Sequence, residues 1–256
     1  MNALATPPWI ELPLGGFDLE TTSADPLTAR IVSACLVLVE GGRLRQRTWL
    51  LNPGIEIPDG AAAVHGITTE KARAEGLDYT TGLREIADAV TSAWASGYAL
   101  AMYNGSFDCT VMASECLRAS LGAWEARGLV VDPYVIDRHC DPTRPGSRRL
   151  AAVVDHYGLE MGQAHTADAD AVAATRLAWV LGRKFPDVGA LTARQLMAAQ
   201  ERWHDERQAD FRRWLSAKAE RMREQAEQLE RQAVELLERA ASVNGEWPVR
   251  RVLQTS

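Results

Sequence analysis

Gly15-Gly16-Phe17-Asp18-Leu19-Glu20-Thr21-Thr22 is the stretch that decides how this chain folds. Strand side chains alternate between faces, so Phe17 and Leu19 point into one layer. Asp18 and Glu20 then share the opposite face. Two carboxylates side by side in an apolar strand are costly unless something positive sits between them, and a divalent cation is the usual answer. Taken alone, the pair could also lie on an edge strand with both acids in water.

Working outward, Ile31 to Val39 is β-rich and mostly apolar, which predicts a buried strand. Gly41-Gly42 makes a turn, and Leu44 to Leu51 reads as a third strand paired back as a hairpin. Thr68 to Ala74 and Thr80 to Ala95 read as helices, the second with Leu83, Ile86, Ala87, Val90 and Trp94 on one face. Tyr98 to Tyr103 is a fourth strand, Phe107 to Ala119 a helix and Leu129 to Ile136 a fifth strand. Arg149 to Tyr157 and Ala167 to Leu181 are two further helices. A three-strand meander followed by alternating strands and helices describes an α/β fold with a mixed sheet covered by helices. A ribonuclease-H-like five-stranded sheet fits that order, as do other α/β folds.

From about Ala190 the character changes. Thr192 and Gln195 have capping-box spacing, and neither Gly nor Pro recurs until Gly245. Leu215, Met222, Leu229 and Leu236 recur every seven residues, with Ala219, Ala226, Ala233 and Ala240 at the alternate core position. This long, coiled-coil-like helix would pack on the preceding domain or on a second copy; a single solvated helix is the plainer reading. The expected division is 1–186 as an α/β domain, 190–244 as a helical extension and 245–256 as a tail.

The chain has 256 residues, 46% hydrophobic and 24% charged, as expected of a water-soluble protein. No apolar run approaches the roughly 20 residues that span a bilayer. The N-terminus lacks the pattern of a secretory signal, so a cytoplasmic location is expected. Cys35, Cys109, Cys116 and Cys140 form no C-x-x-C pair, which speaks against a disulfide framework or a zinc site. A net charge of −6 argues against a nucleic-acid binder. That argument weakens if the carboxylates hold cations that offset phosphate charge.

Two further acidic motifs join Asp18 and Glu20. Tyr103-Asn104-Gly105-Ser106-Phe107-Asp108 follows a strand and opens a helix, whose N-terminus favours the Asp108 carboxylate. His165-Thr166-Ala167-Asp168-Ala169-Asp170-Ala171 carries His165 in a loop and Asp170 about one turn into the next helix, facing inward. Asp168 reads as a capping or solvent-facing acid. His139, His156 and His204 read as structural or surface residues.

FDLETT, NGSFD and HTADADA resemble the three exonuclease motifs of the DnaQ-like (DEDDh) 3′–5′ exonuclease family, in the right order. Val64-His65-Gly66-Ile67-Thr68 resembles the HGIT segment between the first two motifs, and Arg148 to Gly158 the helix ahead of the third. The likeness covers roughly residues 14 to 185. A tyrosine-type sibling class would need Tyr where Thr166 stands.

This resemblance implies two Mg²⁺ or Mn²⁺ ions. Asp18 would bridge them, Glu20 and Asp170 would complete one site, and Asp108 would hold the other through water. His165 would be the general base, its ordinary pKa of about 6.5 letting it take a proton near neutral pH. Thr21, Thr22 and His65 would meet the terminal nucleotide, and Phe107 would either stack on a base or pack in the core. The reaction implied is release of nucleoside 5′-monophosphates from a nucleic-acid 3′ end, in proofreading or repair, with single-stranded DNA favoured over RNA. An exoribonuclease is the alternative, as is a non-catalytic interaction module. The C-terminal helix is a candidate contact for a DNA polymerase or for a homodimer.

Overall fold

The computed structural model describes residues 6–161, 166–243 and 245. β1 (Leu14–Thr21) is the middle strand of a five-stranded sheet. It pairs antiparallel with β2 (Ile31–Glu40), which pairs antiparallel with β3 (Arg43–Leu50). On its other side it runs parallel to β4 (Ala99–Ala101), which runs parallel to β5 (Val130–Val131). The order β3-β2-β1-β4-β5 is the mixed, ribonuclease-H-like sheet expected from the sequence.

Nine helices stand among the described residues: α1 (Asp59–His65), α2 (Thr69–Glu75), α3 (Tyr79–Ala95), α4 (Ser106–Arg118), α5 (Pro133–Cys140), α6 (Leu150–His156), α7 (Ala167–Lys184), α8 (Pro186–Gly189) and α9 (Ala193–Ala241). None is long and apolar enough to cross a membrane.

The alternation in β1 sorts its residues as the sequence implied. Phe17 and Leu19 are buried in a cluster with Leu83, Ile86 and Val90 of α3 and Val111 and Met112 of α4. Asp18 pairs in register with Cys35 of β2. Residues opposite one another share a face of the sheet, and Cys35 packs against Ala167 and Ala171 of α7. Asp18 therefore belongs to the α7 face. A second apolar cluster covers β4 and β5 on the α7 side, with Leu177, Ala178 and Leu181 against Ala99, Ala101, Val131 and Trp9.

One expected element is corrected. Leu129 to Ile136 is not a single strand: β5 stops at Val131, and α5 starts at Pro133. The Asp132 carboxylate accepts from the Tyr134 and Val135 amides, and Pro133 occupies the first helical turn. A capping Asp followed by Pro is a strong helix start, and here it overrides the β-propensity of Val135 and Ile136.

The chain divides into two compact units, residues 1–203 and 204–256. In the first, the opening turns of α9 are buried at Leu196, Ala199 and Gln200. The capping box forms there: Gln195 Oε1 accepts from the Thr192 amide, and Thr192 Oγ1 accepts from the Gln195 amide. His139, expected to be structural or on the surface, is exposed and stacks on Trp203 at 3.9 Å. In the second unit every residue from 211 to 243 is exposed, and the stripe of Leu215, Met222, Leu229 and Leu236 is among them.

Candidate active site

The site grows from the mismatch in length between β1 and β4. Gly16 is opposite Ala101, the last residue of β4, so β1 runs on with no strand beside it on that side. A buried backbone amide needs a partner. Asp108, near the start of α4, supplies one: its Oδ1 accepts from the Leu19 amide at 3.2 Å. The second motif is thereby fastened to the first across 89 residues of sequence.

Asp108 is held there from below. The Asp132 carboxylate accepts from the amides of Asn104 and Gly105, each at 2.9 Å, while also capping α5. Asn104 adopts a left-handed backbone, φ 61°, which turns the chain from β4 into α4. Asp132 was not recognised in the sequence, although Asp132-Pro133 was a readable helix start. Its own amide donates to Gln200 Oε1 at 2.6 Å, and Gln200 Nε2 donates to the Val130 carbonyl at 2.8 Å. Gln200 had no such local signal.

On the other side, Asp170 is brought to β1 by the close crossing of α7. Carboxylate oxygens of Asp18, Glu20 and Asp170 all lie within 4.8 Å of one another, and each residue keeps partial solvent access. Immediately after Glu20 the β1–β2 register slips, so that Thr21 pairs with Ile31 rather than Val32. Bulges of this kind re-aim side chains beside sites.

Electrostatically this is an acidic trap. Burial, followed by the carboxylates of Asp108, Asp170 and Glu20, pushes the Asp18 carboxyl well above its ordinary range. Burial and Asp170 push Glu20 up to about 7. Burial also raises Asp108, with Asp132 and Glu20 adding to it and the Leu19 amide opposing. Asp132 is raised to about 6 by burial, against the pull of its four backbone amides. Every charged neighbour that shifts Asp18 is another acid. An all-oxygen, all-anionic donor set suits a hard divalent cation such as Mg²⁺ or Mn²⁺.

Residues 16–178 match the RNase T family, described as Exonuclease. The chain belongs to this exonuclease family. Membership of the DEDDh 3′–5′ exonuclease group expected from the motifs holds. The match ends inside α7, so α9 lies outside the exonuclease family's shared region.

No curated protein sequence matches this family member. Among solved structures, E. coli exonuclease I in complex with a dT13 oligonucleotide is similar at 21% identity and a TM-score of 0.58. That alignment covers 69% of this chain and 42% of exonuclease I. An exonuclease I structure described as suggesting how processivity is achieved gives 22% and 0.59 over the same shares. The zinc-bound E. coli exonuclease I complex with single-stranded DNA gives 21% and 0.57, covering 69% of this chain and 41% of that one. The likeness is one of fold, and it extends over less than half the length of exonuclease I.

The remaining expected residues are distributed around the acids. The Thr21 hydroxyl donates to the Ser23 carbonyl, and the Thr22 hydroxyl accepts from the Arg30 amide, so both side chains brace the turn after β1. His65 ends α1 and is buried; its Nδ1 accepts from the Ile67 amide, which puts the ring proton on Nε2. Nε2 is buried, and burial holds the His65 pKa below its ordinary value against the opposing pull of the Thr21 backbone. A cavity of about 340 Å³ runs past His65, Glu20, Trp49, Lys71 and Asp168. Phe107 is partly buried and packs against the α3–α4 core. His165 lies outside the described residues.

Proposed function

We propose that this exonuclease-family protein is a metal-dependent 3′–5′ exonuclease acting on single-stranded DNA ends and releasing nucleoside 5′-monophosphates. The observation that carries this reading is the convergence of Asp18, Glu20 and Asp170 within 4.8 Å, with Asp108 tied to the same strand at Leu19. Asp18, Glu20 and Asp108, each with a raised affinity for protons, are acids arranged for a different positive partner.

In this reading Asp18, Glu20 and Asp170 would hold one cation, and Asp18 with Asp108 would hold a second. Bound there, Mg²⁺ or Mn²⁺ would stabilise the charge that develops on the phosphate oxygens during in-line displacement. His165 takes the proton from the attacking water as general base. His65, with its buried Nε2–H, and the braced segment Thr21-Thr22 orient the terminal nucleotide. The cavity beside His65 receives its base or sugar, and Phe107 supports the floor of the site from α4.

DNA is favoured because the similar exonuclease I structures carry DNA oligonucleotides. The RNase T name of the family keeps a 3′ RNA end as the second substrate. Repair or proofreading is the corresponding cellular role.

The deciding experiment follows 5′-labelled single-stranded DNA and matched RNA with Mg²⁺ or Mn²⁺, alongside EDTA and Asp18→Ala controls. The expected result is a metal-dependent ladder shortening from the 3′ end, faster on DNA and absent in the variant. Folded, metal-supplied protein that degrades neither polymer would overturn the reading.

A further inference from the structure

The second unit presents an apolar stripe that only a particular partner would match. Between 212 and 241 the helix carries large residues at Leu215, Met222, Leu229 and Leu236 and small ones at Ala219, Ala226, Ala233 and Ala240. All eight are exposed, the four large ones by 45–62%. Aromatic and aliphatic residues flank the stripe at Phe211, Trp214 and Leu237, also exposed.

Three features of this segment point to the same occupant. The first is size. In a parallel pair, like positions face one another, so layers would alternate between Ala–Ala and Leu–Leu and the helices would have to vary in separation. In an antiparallel pair, each alanine faces a large residue, and every layer has the same volume.

The second feature is charge. Arg212 to Arg223 contains five basic residues and one acid, whereas Glu224 to Glu238 contains five glutamates and one arginine. A parallel pair would stack basic on basic and acidic on acidic. An antiparallel pair separates the like blocks to opposite ends. Acids concentrated toward the C-terminal end of a helix also run against its own dipole, so the helix itself gains nothing from this distribution.

The third is register. Aligning Ala219 with Leu236, Ala226 with Leu229, Ala233 with Met222 and Ala240 with Leu215 uses all eight positions of the stripe. The same alignment sets Arg223 beside Glu230 of the other copy, and by symmetry it does so twice. On the opposite flank Gln225 faces Gln232, and Lys218 lies near Arg239, the one like-charge neighbour. The parallel alternative would instead set Arg223 against Lys218.

We propose that residues 212–241 pair antiparallel with the same segment of a second copy of this chain, in this register, making the protein a homodimer through its C-terminal helix. The paired segment is about 45 Å long at the usual helical rise. This inference is independent of the catalytic reading.

Sedimentation of the full-length protein across the micromolar range tests it, with circular dichroism confirming that each variant is folded. The expected result is a reversible dimer. Arg223→Glu should weaken dimerisation roughly ten-fold, because each dimer contains two copies of the contact, and adding Glu230→Arg should restore it. A monomer throughout the range would overturn the proposal, as would a dimer that Arg223→Glu strengthens, since the latter is the signature of parallel pairing with Lys218. Met222→Glu with Leu229→Glu should abolish the dimer; its persistence in that variant would mean that another surface makes it.

Discussion

Gly16 of β1 lies so close beneath Ala171 of α7 that a methyl group on Gly16 would overlap the Ala171 carbonyl oxygen and the Thr175 hydroxyl. Thr175 donates that hydroxyl to the same Ala171 carbonyl, so the atoms in the way are held in place. This contact sets how near Asp170 comes to Asp18. Gly16→Ala should push α7 away from β1, costing about 1–3 kcal/mol of stability and opening the carboxylate cluster. Urea unfolding and a Mg²⁺ titration of nuclease activity read the two effects. A variant of normal Mg²⁺ dependence would show that this crossing does not govern the cluster.

The acidic cluster is a stability cost in metal-free protein, and its pH dependence has a definite sign. Glu20 moves from an ordinary 4.5 to about 7 on folding, so between those values the folded chain holds a proton that the unfolded chain has released. Stability therefore falls as pH rises through this window, and the penalty, up to about 3 kcal/mol, is complete above it. In EDTA, Glu20→Gln should be more stable than the wild type at about pH 8, and that advantage should vanish toward about pH 4.5. Saturating Mg²⁺ should reverse the ranking at the higher pH. Thermal melts under these conditions would refute the idea if Glu20→Gln were no better than wild type in EDTA at the alkaline end.

Gln200 closes the floor of the site from outside the region shared with the family. Removing its amide leaves the Asp132 amide and the Val130 carbonyl without their partners. Gln200→Ala should cost about 2–4 kcal/mol, two buried backbone groups being left unpaired. Denaturant midpoints measure it. A loss of under half a kilocalorie, about the value for an unimportant surface change, would mean that water replaces the side chain.

Proton transfer and cation binding should separate by mutation. His165→Ala should lower kcat by roughly 10²–10⁴-fold while leaving the Mg²⁺ concentration for half-maximal activity unchanged. Asp18→Ala should abolish activity at any Mg²⁺ concentration. If His165→Ala instead shifted the Mg²⁺ midpoint with kcat intact, His165 would be a cation ligand or its support rather than the base.

Much of this arrangement was legible because it is local. The two-residue alternation of Phe17, Asp18, Leu19 and Glu20 forecasts which side chains share a face of the sheet. The Thr192–Gln195 spacing forecasts the start of the long helix. What escaped is non-local or a contest between local signals. At 129–136 the run of β-branched residues obscured the Asp132-Pro133 helix start. Nothing near Gln200 in sequence announces that its amide will meet residues 68 and 70 positions earlier. The α1 helix was also missed, since it rests on a short alanine run after Pro58 that resembles the connecting loops around it.

The placement of Gln200 bears on how such an enzyme can be inherited. A recombination event that copied only the shared exonuclease region, ending at residue 178, would carry the acids without the residue that clasps Asp132. The viable seam lies beyond Trp203, inside a continuous helix rather than in a loop. Lineages exchanging the C-terminal extension would therefore splice helix to helix, preserving α9's opening turns while replacing its distal length.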